Sequence, residues 1–164
     1  MKSRISSLVL LILLAGLQPS TASSTVAQKL AVAENGFAFK LLKQIASEQP
    51  AANIFISPYS AATVLQMVGT GAAGQTRAGM QQVLGTAGLS SETVGVANRD
   101  IAQSLNHDNT NVILTTANVI WYRAGSPVKP EFIARNHQFF GATVDAINFA
   151  DPHAAGIINA WASD

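Results

Sequence analysis

The chain has no cysteine among its 164 residues, so disulfide bonds and thiolate metal ligands are excluded. Charge is also scarce, since Asp, Glu, Lys and Arg together make up only 12% of the residues. The formal net charge of +1 offers no attraction to nucleic acid or to acidic lipid. A fold of this composition must be held by apolar packing, and the 48% of hydrophobic residues suits a single globular domain.

Local motifs for catalysis or metal binding are missing as well. No serine stands in a G-x-S-x-G context or in another context that activates a nucleophile. His107, His137 and His153 are too far apart in sequence to form a local metal pair such as H-E-x-x-H. We therefore expect a protein that is not an enzyme and that needs no cofactor and no metal.

The first 22 residues have the layout of a secretory signal peptide. Lys2 and Arg4 precede an apolar run from Leu8 to Leu17, which is too short to span a bilayer. The small residues of Ser20-Thr21-Ala22 follow, so cleavage is expected near Ala22. The alternative is a buried N-terminal helix or a membrane anchor. Export predicts a secreted, extracellular protein (periplasmic if the source is bacterial) with no membrane association after cleavage.

Apolar periodicity predicts a mixture of helices and strands in the rest of the chain. The expected helices are 28–47, one opening at Ser57-Pro58, 75–84, 90–105, 130–140 and one opening at Asp151-Pro152; the expected strands are 53–56, 109–122 and 142–149.

Several residues are expected to be buried or to set a boundary. Ser57 should cap a helix whose first position is Pro58, and Gly85 should end the next helix. The expected buried residues are Ala61, Val64, Leu65 and Val68 on the helix after Ser57, Met80, Val83 and Leu84 on the next, and Ile157, Ile158 and Trp161 on the last.

Five short motifs, taken in their order along the chain, resemble those of the serpins. They are Asn53 to Ser60 (N-x-x-x-S-P-x-S), Gly71 to Thr76 (G-A-x-G-x-T), Ala117-Asn118, Phe140-Gly141-Ala142, and Ile158-Asn159-Ala160-Trp161 (I-N-x-W). Met80, Leu84 and Gly85 also stand where a serpin helix carries a methionine and ends in leucine-glycine.

This resemblance implies an α+β fold in which 35–164 form the N-terminal part of a serpin domain, with 23–34 leading into its first helix. A helical cluster would pack against strands of the main sheet, and the chain would stop before the central strands and the reactive loop. Ser57 and Ser60 would belong to the region under the main sheet where strands must part. Asn159 and Trp161 would be packing residues of the helix across that sheet, which we expect to dock on the long strand around Val112 to Trp121. The resemblance further implies that the reactive-site bond is absent from this chain.

The resemblance also implies a function for the parent protein. It would be a secreted serine-type protease inhibitor that acts as a suicide substrate by loop insertion, with a serine protease, or a cysteine protease, as its partner. The alternative is a non-inhibitory serpin-like module for binding or storage. The 164 residues alone are expected to be inactive and to self-associate. Heparin binding is disfavoured, because Arg99 is the only Lys or Arg of 90–105 and stands beside Glu92 and Asp100.

Overall fold

Six helices and two short strands make up the parts of the chain that the computed structural model describes, residues 21–107 and 115–163. In order they are α1 (Thr21–Glu48), α2 (Pro58–Gly69), α3 (Gly74–Leu84), α4 (Ser91–His107), β1 (Val119–Arg123), α5 (Pro130–Phe140), β2 (Thr143–Ile147) and α6 (Ala154–Ser163). No helix in these ranges is both long and apolar enough to cross a membrane.

Helix α1 begins at Thr21, earlier than the predicted residue 28, and Val26 in the added part packs against a cluster that includes α4 residues. Leu30 is fully buried in a cluster with Val94 and Ala97 of α4, and Val26 packs against the same cluster. Burial of such apolar side chains stabilises a helix more than local propensity does, which explains the additional turns.

Helix α2 begins at Pro58 as predicted, but only half of its predicted apolar face is covered, because Ala61 and Leu65 pack against the cluster of Phe37 and Leu84 whereas the two valines do not. Val64 and Val68 are 51% and 44% exposed. The fully buried residues of α2 are Ala62, Thr63, Gln66 and Met67, and the helix packs against α1, α3, α4 and α5. Two stripes at helical spacing overlap on this helix, and the periodicity of one element does not determine which stripe a neighbour covers.

Helix α3 ends where its glycine predicts. Gly85 has φ +69°, in the left-handed region that glycine adopts without strain, and Leu84 just before it is buried. Met80 is half-buried, whereas Val83 is 54% exposed, so its predicted burial was wrong. Helix α3 packs on α1 and α2, and Val83 is on a face that these helices leave exposed.

The predicted strand at 53–56 does not form. Phe55 is completely exposed, and no strand among the described residues lies beside this segment. A strand needs a neighbour for its backbone N–H and C=O groups, so an apolar run alone is not sufficient. Within the predicted strand 109–122, residues 109–114 lie outside the described residues, residues 115–118 form no strand, and residues 119–122 belong to β1.

Strands β1 and β2 form a parallel pair joined by α5. Val119 is opposite Thr143 and Arg123 is opposite Ile147. Helix α5 packs Phe139 and Phe140 into a core cluster that also holds Met67 of α2. A Cβ added to Gly95 would come within 2.5 Å of the Phe139 ring, so only glycine lets α4 approach α5 this closely.

Helix α6 begins at Ala154, three residues after the predicted start. The Asp151 carboxylate accepts a hydrogen bond from the His153 backbone N–H at 2.8 Å, in a turn that precedes the helix. The expected docking on the long strand is not present in the described part of the chain, because α6 makes no extensive contact with any other element there. Ile157 is consequently 48% exposed, and only Ala154 of this helix is buried.

Candidate functional site at the start of helix α2

The two serines singled out by the sequence lie together at the start of α2. Ser57 is the N-cap residue, with φ −113° and ψ 92°, and its Oγ accepts from the Ser60 backbone N–H at 3.4 Å. The Ser57 and Ser60 Oγ atoms are 2.9 Å apart and share a hydrogen bond. Pro58 occupies the first turn, where a missing N–H costs nothing. The local sequence therefore builds this turn without help from distant residues.

Both hydroxyl groups are exposed; the Ser57 hydroxyl accepts from the backbone at the helix start, and the Ser60 hydroxyl shares a hydrogen bond with it. Nucleophilic serines need a base within hydrogen-bond reach, and the hydroxyl contacts seen here are with each other and with the helix start. Across the described ranges no group of three His, Cys, Asp or Glu side chains could hold a metal ion. The arrangement can cap a helix and present an accessible polar turn.

A buried polar network follows one face of α2, and the sequence did not indicate it. The Gln66 Nε2 donates to Glu34 Oε1 of α1 at 2.9 Å, and the Asn98 Nδ2 of α4 donates to Gln66 Oε1. Gln66 is 5% exposed and Asn98 is 2% exposed. These three side chains link α1, α2 and α4 through hydrogen bonds. The one available signal was the polar stripe of Thr63, Gln66 and Thr70 at helical spacing.

Burial shifts the acid–base behaviour of this network. Burial raises the pKa of Glu34 above its usual value because it disfavours the charged form. The hydrogen bond from Gln66 lowers the pKa, but by a smaller amount. Burial also raises the pKa of Tyr59, and the nearby Glu34 charge raises it further. A carboxyl group that favours its proton in the folded state makes stability depend on pH.

We expect Glu34→Gln to remove a pH-dependent part of the stability. Because the folded pKa lies above the unfolded value of about 4.5, the folded state binds more protons in that interval. The Glu34 contribution is therefore most favourable below the unfolded pKa and is lost as the pH rises through the folded pKa. The free energy of unfolding in urea should be measured for the unsubstituted chain and for Glu34→Gln from below the unfolded pKa of Glu34 to above its folded pKa. The stability of the variant relative to the unsubstituted chain should increase as the pH rises, because glutamine still accepts from Gln66. A constant difference would contradict the assignment.

The parallel pair presents further polar groups near the core. The Asn118 side chain donates to the Phe140 carbonyl at 3.0 Å and so ties the start of β1 to the end of α5. The Trp121 Nε1 of β1 is buried with no hydrogen-bond partner in the described part of the chain. Each strand also has one edge without a partner strand in those ranges.

The second predicted pair, Asn159 and Trp161, is on α6 and is separate from the serine turn. Asn159 is exposed and Trp161 is half-buried. Since α2 and α6 make no extensive contact, the structure does not bring these residues together with Ser57 and Ser60. Their role in packing stays a prediction.

Comparison with known proteins places this arrangement in a family. A family model described as "Serpin (serine protease inhibitor)" matches residues 32–164. Glia-derived nexin of Rattus norvegicus is 32% identical over 123 residues, which are 74% of this chain and 30% of the relative. Leukocyte elastase inhibitor of Bos taurus is 32% identical over 143 residues, which are 84% of this chain and 36% of the relative. Corticosteroid-binding globulin of Pongo abelii is 32% identical over 124 residues, which are 74% of this chain and 31% of the relative.

A solved structure agrees with these sequence matches. Native protease nexin-1 with heparin superimposes with a TM-score of 0.71 at 29% identity, over 86% of this chain and 36% of that one. The chain thus spans about a third of the length of the relatives it matches. The predicted α+β fold is confirmed by this likeness. Because the family model matches most of the sequence, the chain belongs to the serpin family.

Proposed function

We propose that the chain is the N-terminal part of a protease inhibitor that acts by inserting its own cleaved loop as a strand into its main sheet. The observation that carries the proposal is the match over 32–164 to a family described as serine protease inhibitors, together with a relative whose name describes protease inhibition, leukocyte elastase inhibitor. Addition of a strand to a sheet is driven by backbone hydrogen bonds, and the parallel β1–β2 pair is a sheet with free edges in its described part. The expected partner is a serine protease, or a cysteine protease.

The 164 residues alone are proposed to be inactive. Their described part supplies one pair of five-residue strands and no second pair between which a new strand could insert. Trapping a protease needs a cleavable loop and a sheet that accepts it, so these elements are insufficient by themselves. Free strand edges also favour association through backbone hydrogen bonds. The exposed apolar side chains that add to this tendency are Phe55, Phe149 and Ile157.

The test is to mix the 164-residue chain with trypsin-, chymotrypsin- and subtilisin-like proteases and to look for a complex that survives denaturing electrophoresis. We expect none, whereas a longer parent polypeptide of the relatives' length should form one with at least one protease. A stable complex with the short chain would contradict the proposed inactivity. No complex with the parent would contradict the inhibitory proposal.

We propose that heparin does not bind along α4. Arg99 is the only Lys or Arg of this helix, and its guanidinium lies 3.3 Å from the Asp100 carboxylate. Glu92 adds a further negative charge in the first turn. A sulfated polysaccharide needs several unpaired cations along one face, which α4 does not offer in its described residues.

We propose export with cleavage near Ala22, on the basis of the basic start, the apolar run and the small residues of 20–22. The mature chain would begin with the remainder of α1, and it would be extracellular, or periplasmic in a bacterial source. N-terminal sequencing of protein recovered outside the cells should begin within a few residues of Ser23. An intact Met1 on soluble protein inside the cells would contradict export.

A second candidate is a non-inhibitory binding module. The name of one relative, corticosteroid-binding globulin, describes the binding of a small molecule rather than of a protease. A parent that forms no complex with any protease but binds an apolar small molecule would favour this alternative.

A further inference from the structure

We propose that a polar cavity between α3, the start of α4 and α5 binds a tetrahedral oxyanion, phosphate or sulfate. The cavity has a volume of about 280 Å³ and is lined by Arg77, Gln81, Ser91, Glu92 and Arg135 among others. It lies apart from the Ser57 turn and from the buried network around Glu34, and the proposed inhibitory function does not use it.

Two arginines from different helices line this cavity. Arg77 is on α3 and Arg135 is on α5, and neither is paired with a carboxylate in the described part of the chain. Guanidinium groups match the oxygens of phosphate and sulfate in two-point hydrogen bonds, which makes arginine a preferred side chain for such ions. Two unpaired cations on the wall of one cavity repel each other, and a bound anion would relieve that repulsion.

Arg77 is held in place before any ligand binds. Its Nε donates to the Ala72 carbonyl at 2.7 Å, and the side chain is half-buried. This contact fixes the guanidinium plane, so its two terminal nitrogens are oriented without a further loss of side-chain entropy. Arg135 is exposed and lines the same cavity. The two residues therefore have different roles, with Arg77 as the fixed donor and the exposed Arg135 as the second one.

Glu92 is the one carboxylate on the cavity wall, and it limits which ligand fits. With two cations and one anion, the wall carries one net positive charge. This balance favours a small oxyanion that Arg77 and Arg135 can reach together over a long polyanion that must also pass the Glu92 charge. Removing the Glu92 charge should strengthen binding, an effect opposite in sign to the loss of either arginine.

The test is a calorimetric titration of the full chain with inorganic phosphate, inorganic sulfate and a sulfated disaccharide. We expect saturable binding of at least one probe. Arg135→Gln should weaken binding roughly tenfold, and Glu92→Gln should strengthen it several-fold. Arg123→Gln removes the same charge from an exposed position at the end of β1, and it should leave the affinity unchanged.

The relative affinity of the probes identifies the source of the oxyanion. Tighter binding of phosphate or sulfate indicates a free ion, and tighter binding of the disaccharide indicates a sulfated sugar; either result with the expected variant pattern supports the site. The proposal is overturned if no probe shows saturable binding. It is equally overturned if Arg123→Gln weakens binding as much as Arg135→Gln, or if Glu92→Gln fails to strengthen it.

Discussion

Replacement of Phe139 by alanine is expected to lower the free energy of unfolding by about 3–5 kcal/mol. The side chain is 2% exposed and lies in the cluster that joins α5 to α2. Its ring fills the space that Gly95 leaves open on α4, so truncation would open a cavity between two helices. Met67 of α2, which is 1% exposed, packs in the same cluster and would lose contact with the ring as well.

Urea unfolding followed by circular dichroism at a fixed protein concentration measures this loss. Phe39→Ala is the matched control, because it removes the same ring from a position on α1 that is 73% exposed. Exposed truncations of this kind change stability by about 0.5 kcal/mol or less. Equal losses for the two variants would show that the Phe139 cluster is not the core of this part of the chain.

Asn98→Asp is expected to destabilise the fold by about 3–5 kcal/mol at neutral pH, because it leaves a buried charge without a partner. The Asn98 Nδ2 donates to Gln66 Oε1, whereas a carboxylate would place two acceptors against each other. The new charge would also share this interface with Glu34, whose carboxylate already accepts from Gln66.

Acid should restore much of the loss. Burial would raise the pKa of the introduced carboxyl above its unfolded value of about 3.9. The loss of stability is then smallest below the unfolded pKa, where the protonated carboxyl group can donate to Gln66. The loss grows as the pH rises through the folded pKa. Asn35→Asp, at an exposed position on α1, is the control and should show no such dependence. A deficit that does not change with pH would indicate a cause other than the buried charge.

The elements that the sequence predicted correctly are those with local causes. Helix α5 has the bounds expected, because Pro130 fits its first turn and Gly141, with φ +57°, ends it. The Ser57 cap was predicted for the same reason, since its partner Ser60 is within one turn. Such contacts depend on a few adjacent residues, which a sequence displays directly.

Features that need a distant partner were missed or predicted wrongly. The segment 53–56 has the composition of a strand, but no described strand lies beside it to accept its hydrogen bonds. The Gln66 contacts to Glu34 and to Asn98 each span 32 residues, and no local pattern reveals such a pairing. The Ser57 turn could thus be placed from the sequence, whereas the network that anchors its helix required the structure.

The hydrogen bonds of α5 suggest an order of assembly. The contact from Asn118 to the Phe140 carbonyl closes a loop of 22 residues, whereas the contact from Asn136 to the Thr70 hydroxyl closes one of 66. A threefold longer loop costs roughly 1 kcal/mol more in closure entropy. The β1–α5–β2 unit can therefore form first as a local nucleus, and docking of α5 on α2 would follow. During synthesis on a ribosome, α2 would be complete before α5 is available to pack on it. The face of α2 that holds Met67 would therefore stay exposed to solvent until residue 140 has left the ribosome.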